Sequence, residues 1–324
     1  MSVGDPEIVV SAAAAGTAAT LDTAPETAAA KIQGRSPWKL AFERLRRDRA
    51  ALICAIVILL IVLMAIFAPF FAKITGHSPN HQYLDTGLTL DGQPKPPSSE
   101  FWLGTDDVGR DVLVRIAYGA RVSLIVGVAA TFLTVTIGTI VGLAAGYFGK
   151  IVDTILARLI DVMLSIPFLL FAISLASIYQ AGLKVVIFVL AIFSWSSVAR
   201  IVRGQVLSIR EREYVEAARA MGAGSWRIMI IDILPNVIAP IIVYTTLLIP
   251  VSIVGEATLS FLGVGIQPPT ADWGQMIADA QGNYHAWWFL VFPSLALLVT
   301  TLAFNIFGDG VRDAFDPRSD RMFN

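Results

Sequence analysis

The sequence predicts an all-α integral membrane protein with six transmembrane helices. Three observations carry this. Apolar residues make up 56% of 324 positions, and the mean hydropathy is +0.69, above the range of soluble domains. Charged residues are only 15% of the chain and gather in short segments between long apolar runs. The cleanest run, 50–72, is uncharged and long enough, at about 1.5 Å per residue, to cross about 30 Å of hydrocarbon. A net charge of −1 gives no basic balance of the kind that suits nucleic acid. The one cysteine, Cys54, and three histidines exclude an internal disulfide, a thiolate cluster and a His-rich metal buffer.

Taken in order, residues 1–34 are rich in Ala and Thr, with no basic stretch ahead of an apolar one. They read as a disordered tail rather than a signal peptide. Residues 35–49 carry Lys39, Arg44, Arg46, Arg47 and Arg49 beside Trp38, Leu40, Phe42 and Leu45, an amphipathic helix for the membrane surface. Span 1 is 50–72, with Pro69 near its exit. Residues 73–118 form a polar loop whose end starts a helix, capped by Thr105 or Asp106. His77 and His81, with Asp85, have a spacing a metal could use, but Pro79 between them works against a regular helix presenting both rings.

The core is 119–310. Span 2 (122–148) carries the ladder Gly138, Gly142, Gly146, a small-residue seam for close helix packing within the chain. Span 3 (156–182) holds Asp161, expected to pair with Arg158 or to reach the interface. Its Ser165, Pro167 and Ser174 are candidates for breaking the helix. Span 4 (185–203) ends at Arg200 and Arg203. Span 5 (233–262) contains Pro235, Pro240 and Pro250 and is expected to kink. It also holds Glu256, expected near the outer end and facing water. An outer loop follows, then span 6 (286–308) with Trp287 and Trp288 at the interface, and a tail, 311–324.

Between spans 4 and 5 lies a polar interruption, 209–235, carrying Arg210, Glu211, Arg212, Glu213, Glu216, Arg219 and Arg227. That density of charge belongs outside the bilayer. Tyr214, Ala217, Ala218 and Met221 recur at helical spacing, and Gly222 and Gly224 are helix stops. A short helix over about 211–223 follows, with one small apolar face free to lie in a partner's groove.

The string Glu216-Ala217-Ala218, then Gly222, then Leu234-Pro235, resembles the loop by which bacterial ABC importer permeases dock on their ATPases. Asp232 departs from it, standing where that family usually has an apolar residue. Leu103-Gly104-Thr105-Asp106 with Gly109-Arg110-Asp111-Val112 is similar to a segment of the dipeptide/oligopeptide/nickel branch, C-type subunits among them. So are 256–263, Gly265-Ile266-Gln267-Pro268-Pro269 with Asp272-Trp273-Gly274, and the end of the chain, Phe307 to Asp313 with Asp316-Pro317-Arg318. The resemblance covers nearly all of 36–318. It implies the type I importer permease fold and a coupling helix in which Tyr214, Glu216, Ala217, Ala218, Arg219, Met221 and Gly222 meet the ATPase. It places Ser165, Ser174, Thr245, Thr246 and Ser252 near the translocation pathway, although each hydroxyl can equally bond its own helix backbone.

The implied partners are a second homologous permease subunit, two cytoplasmic ABC ATPase subunits, an extracytoplasmic substrate-binding protein and the lipid bilayer. The implied substrate is a peptide or another small solute, nickel and glutathione included. No G-x-x-x-x-G-K-[ST] motif occurs, so ATP and magnesium are expected on the ATPase subunits and no cofactor, metal or catalytic residue on this chain. All but six of the 24 Lys and Arg (Lys73, Lys95, Arg110, Arg115, Arg121 and Lys184) fall on one side of a six-span topology. The charge rule then places both termini and Glu216 in the cytoplasm, and the resemblance implies a bacterial inner (plasma) membrane. A self-sufficient secondary transporter or channel is the alternative of another class. It predicts internal repeats and midplane ionisable relays, and no repeat is evident.

Overall fold

The computed structural model describes residues 37–179 and 182–316, so the tail 1–34 and the last residues of the C-terminal segment lie outside it. The helices are α1 (Pro37–Leu45), α2 (Arg49–Ile66), α3 (Ala68–Thr75), α4 (Leu84–Gly87), α5 (Val112–Phe148), α6 (Lys150–Ser165) and α7 (Phe168–Ile178). After them come α8 (Leu183–Ile209), α9 (Glu213–Ala220), α10 (Ser225–Arg227), α11 (Leu234–Phe261), α12 (Trp273–Ala280) and α13 (Trp287–Phe315). Among the described residues no β-strand occurs, only two isolated bridges. Five helices are long and apolar enough to cross a membrane; α6 and α7, bent by 85°, make a sixth crossing if taken as one broken span.

The break falls at Ile166–Pro167, where both residues are extended. A proline lacks the N–H the helix needs and disfavours helical backbone in the residue before it, so the expectation placed on Pro167 holds. Span 5 is entered differently. Ile228–Ile233 is a π-helical turn, and α11 starts with Pro235 in its first turn. A widened turn relieves the ladder where the proline cannot donate.

The longest helix, α5, is the spine, and its glycines decide what it touches. A Cβ on Gly138 would sit 2.8 Å from the Trp195 carbonyl oxygen, one on Gly142 2.7 Å from that of Ala199, and one on Gly146 2.6 Å from Val206 Cβ. The ladder is therefore filled by α8 of the same chain. Higher up, Gly127 faces Ile253 of α11 and Gly119 faces the Trp273 ring. Backbone-close packing suits a membrane, where association rests on van der Waals contact rather than on expulsion of water.

The N-cap of α5 is Asp111, not Thr105 or Asp106. Its Oδ1 accepts from Leu113 N at 2.9 Å and Val114 N at 3.2 Å. His77 Nδ1 lies 2.7 Å from its Oδ2, so His77 is a buried tie to the cap. No metal-binding group of three or more His, Cys, Asp or Glu occurs among the described residues. Thr105 instead donates to Gly87 O at 2.7 Å and accepts from Lys95 N at 2.8 Å. Asp106 accepts from Arg110 Nε at 2.6 Å. Asp107, half-buried beside it, has its carboxyl pushed above the usual range by burial and then by the Asp106 and Asp279 charges.

The outer loop of 263–286 is not structureless. It contains α12, started by Asp272, whose Oδ2 accepts from Gln275 N at 2.9 Å. Trp273, Met276 and Ala280 form its buried face, and Trp273 Nε1 donates to Ile116 O of α5 at 3.0 Å. Trp287 is exposed as expected, but Trp288 is buried and donates to Thr105 O at 3.1 Å. Asp111→Ala removes both the cap and the His77 partner. It should destabilise the chain by about 1–3 kcal/mol, read as a lower melting temperature in detergent. Asp111→Asn, which still caps, should lose less.

At the other end, α1 lies against the end of α13. The Trp38 and Phe315 rings meet edge-on at 5.3 Å, and Arg44 Nη1 donates to Ala314 O at 3.3 Å and Asp316 O at 3.0 Å. A cation on the last carbonyls of a helix is favourable. The two ends of the described chain thus lie together.

Candidate functional site

The polar interruption holds α9, a helix of 8 residues, about two turns, followed by α10 and the π-helical turn. Glu213 and Glu216 occupy its first turn and Arg219 its last, each with the sign the helix dipole favours. Its end is a Schellman closure: Ala223 N donates to Ala218 O and Gly222 N to Arg219 O, both at 3.0 Å. Gly222 has φ +81° with open space around it, a left-handed backbone that glycine adopts without strain.

One face of α9 is buried. Val215 is fully covered and Ala218 nearly so, in a cluster with Val206, Ile209, Ile228 and Ile233. Arg210 ties the segment down by donating to Gly146 O at 2.9 Å, and the Arg219 guanidinium lies 5.9 Å from the Tyr147 ring centre. The rest of the helix is open: Tyr214, Glu216, Ala217, Arg219, Met221 and Gly222 are exposed, Met221 at 81%. Ala218 therefore leaves the face assigned to it from spacing. The β-branched Val215, next to it one turn back, takes the core side and carries Ala218 with it. What remains outside is Tyr214, Ala217 and Met221, an apolar strip flanked by charge on a helix whose other side is rigidly seated.

The five hydroxyls expected near a pathway do not converge. Ser165 and Ser174 are exposed and donate to Asp161 O and Leu170 O, both at 2.7 Å. Thr245 donates to Ile241 O at 2.7 Å and Thr246 to Val243 O at 2.8 Å. A Cβ on Gly308 of α13 would lie 3.4 Å from Thr246 Oγ1, so that hydroxyl sits in a helix seam. Ser252 is buried, 3.2 Å from Thr131 Oγ1 on α5.

Two ionisable groups are also corrected. Asp161 pairs with Arg200 across α6 and α8, at 2.7 Å, not with Arg158 on its own helix. Glu256 does not face water: it is fully buried, accepting from Ser123 Oγ and Ser260 Oγ at 3.0 Å each. A carboxyl without exposure needs such donors, and they come from α5 and the next turn of α11. Ser123 lies 133 positions away, out of reach of any local reading.

Comparison with known proteins gives concordant matches. Residues 138–321 match the family model described as binding-protein-dependent transport system inner membrane component, and residues 36–97 match that of the N-terminal TM domain of oligopeptide transport permease C. The oligopeptide transport system permease protein OppC of Bacillus subtilis (strain 168) is 42% identical over 285 residues, 87% of this chain and 90% of that protein. The dipeptide transport system permease protein DppC of the same organism is 42% identical over 283 residues, 87% and 86% of the two chains. The glutathione transport system permease protein GsiD of Pectobacterium atrosepticum is 39% identical over 285 residues, 88% and 92%. Among solved structures, a chain of the MetNI methionine ABC transporter in an inward-facing form aligns with TM-score 0.52 at 20% identity, covering 62% of this chain and 96% of that one. That likeness is one of fold alone.

Proposed function

The chain belongs to the family of binding-protein-dependent transport system inner membrane components, and from that membership we propose that it is one transmembrane half of an ATP-driven importer of di- and oligopeptides. Relatives named as oligopeptide and dipeptide permeases at 42% identity support the cargo class. The observation that carries the role of this chain is the split character of α9. Its Val215–Ala218 face is buried, whereas Tyr214, Ala217 and Met221 are exposed.

In this reading α9 is the coupling helix. An ATPase subunit closes on ATP, displaces α9, and the seated helix passes the displacement to α5 and α8. The exposed strip must bind its partner differently in the two states, since equal binding shifts nothing. A second homologous permease completes the pathway, two ATPases hold ATP and magnesium on the cytoplasmic side, and an extracytoplasmic binding protein delivers the peptide. Both termini lie in the cytoplasm, where the positive-inside rule puts the cluster of Arg and Lys around α1 and α9. The protein resides in a bacterial inner membrane.

The test is purification in mild detergent followed by reconstitution in liposomes. A complex with a second permease and ATPases, importing labelled dipeptide only with ATP and binding protein, is the expected result. A preparation of this chain alone that transports without ATP overturns it. The glutathione-named relative favours one second reading of the cargo, a peptide with a γ-linkage; competition by glutathione against dipeptide uptake separates the two.

A further inference from the structure

The helix α6 has three distinct faces. Ile160 is buried, toward α8. Ile151, Val152, Ile155, Leu159 and Val162 are exposed and apolar, a surface for lipid or a neighbouring helix. Thr154, Arg158, Asp161 and Ser165 recur at i, i+4, i+7, i+11, one line along the helix, and all four are exposed. An interfacial helix lying flat would set its polar line opposite its apolar one. Here the two are adjacent, and the third face runs antiparallel along the spanning helix α8. The ion pairs mark that course: Asp153 with Arg203 nearer the α9 end, Asp161 with Arg200 farther in.

The polar line is about 17 Å long at 1.5 Å per residue. Charges along a spanning helix do not face hydrocarbon. They border a cavity of about 390 Å³ between α6 and α8, lined by Asp153, Arg158, Asp161, Arg200 and Arg203 among others. Within it Asp161 and Arg200 keep more than half of their side-chain surface open. Arg158 has no ion-pair partner among the described residues. Just beyond Ser165 the helix breaks, and discontinuous helices are where transporters hold charged substrate groups.

We propose that this face lines the inner mouth of the translocation pathway and holds the charged termini of a passing peptide, with Arg158 and Arg200 receiving the carboxylate and Asp161 the ammonium group. The assignment rests on the peptide-importer reading. It extends that reading from the docking helix to a substrate-contacting site, and gives the pathway ionic groups rather than only the hydroxyls expected from sequence.

The single native cysteine is buried, so the whole complex can be prepared with Cys54→Ala and probed by single cysteines. Its ATP-driven dipeptide uptake is measured first. Absence of uptake by the unsubstituted complex defeats the importer reading, and the site with it, before any labelling. In the active complex, Ser165→Cys and Thr154→Cys, on the polar line but outside the three residues assigned to the peptide termini, react with a charged thiosulfonate reagent supplied from the α9 side, whereas Ile155→Cys, on the apolar face, does not. Millimolar Ala-Ala with free termini slows labelling at both positions by about tenfold, as occupancy of a site by charge-assisted contacts would. The same dipeptide acetylated and amidated does not. Labelling of positions 154 and 165 no faster than that of 155 overturns the aqueous face. Rapid labelling that free dipeptide leaves unchanged overturns the peptide site.

Discussion

With Glu216 replaced by Lys, ATP-driven peptide uptake should fall to the level measured without ATP, while the chain still inserts and folds. Glu216 is exposed on the first turn of α9 and makes no contact on which the fold depends. Reversing its charge there opposes the helix dipole, a cost of about 1 kcal/mol or less at an exposed site. The same reversal places a cation on the face proposed to dock on the ATPase, where like-charge or unpaired contact with a partner costs several times more. Uptake and stability therefore separate. The measurement is uptake in liposomes beside the melting temperature and the amount of ATPase retained on purification. Unimpaired uptake would remove α9 from the coupling role. Gly222→Trp should act similarly by a different route, since a residue at φ +81° pays about 1–2 kcal/mol of backbone strain and the indole projects into open space beside Met221.

Gly142→Leu should have the opposite signature, with loss of the folded chain rather than loss of coupling. A first side-chain atom at Gly142 would stand 2.7 Å from both the Ala199 carbonyl oxygen and Val202 Cβ. Backbone cannot give way as a flexible side-chain tip can, so α5 and α8 must separate along their length. Overpacking in a close-packed seam costs about 1–3 kcal/mol for added methylenes, and a forced separation adds the contacts of the neighbouring rungs. Little monodisperse protein should be recovered from membranes. Gly204→Ala on α8, where nothing lies within 4 Å of an added Cβ, is the control. It should be neutral or gain up to about 1 kcal/mol of helix propensity. Equal recovery of the two variants would mean that the ladder is not a contact surface.

The spans were legible because each is a continuous apolar run, a property of neighbours in sequence. The broken span was legible for a related reason: Pro167 acts on its own backbone. The small-residue ladder was read correctly as a seam, although its partner helix was not named. What escaped depends on distant residues. Asp272 followed by Trp273, Met276 and Ala280 is a cap and a helical stripe that could have announced α12. The stripe is convincing only once Ile116 and Gly119 supply its receptor. Glu256 was placed in water because a carboxylate usually seeks it, whereas Ser123 on another helix supplies the donor that makes burial tolerable. Within α9 the spacing gave the helix and its end. Val215, not the alanines, decided which side faces inward.

One helix is held at both extremes. At its start, Asp111 is fastened to His77, and Arg115, four residues on, donates to Pro79 O at 3.0 Å. At its finish, Gly146 O receives Arg210 from just ahead of α9. Between them run 37 residues with no internal proline, about 55 Å of continuous hydrogen-bonded rod, longer than the hydrocarbon layer is thick. Such a beam has no joint in which to absorb a local tilt. Rotation at the inner anchorage is accompanied by a swing of the outer one, so opening on one side and closure on the other become two readings of a single angle.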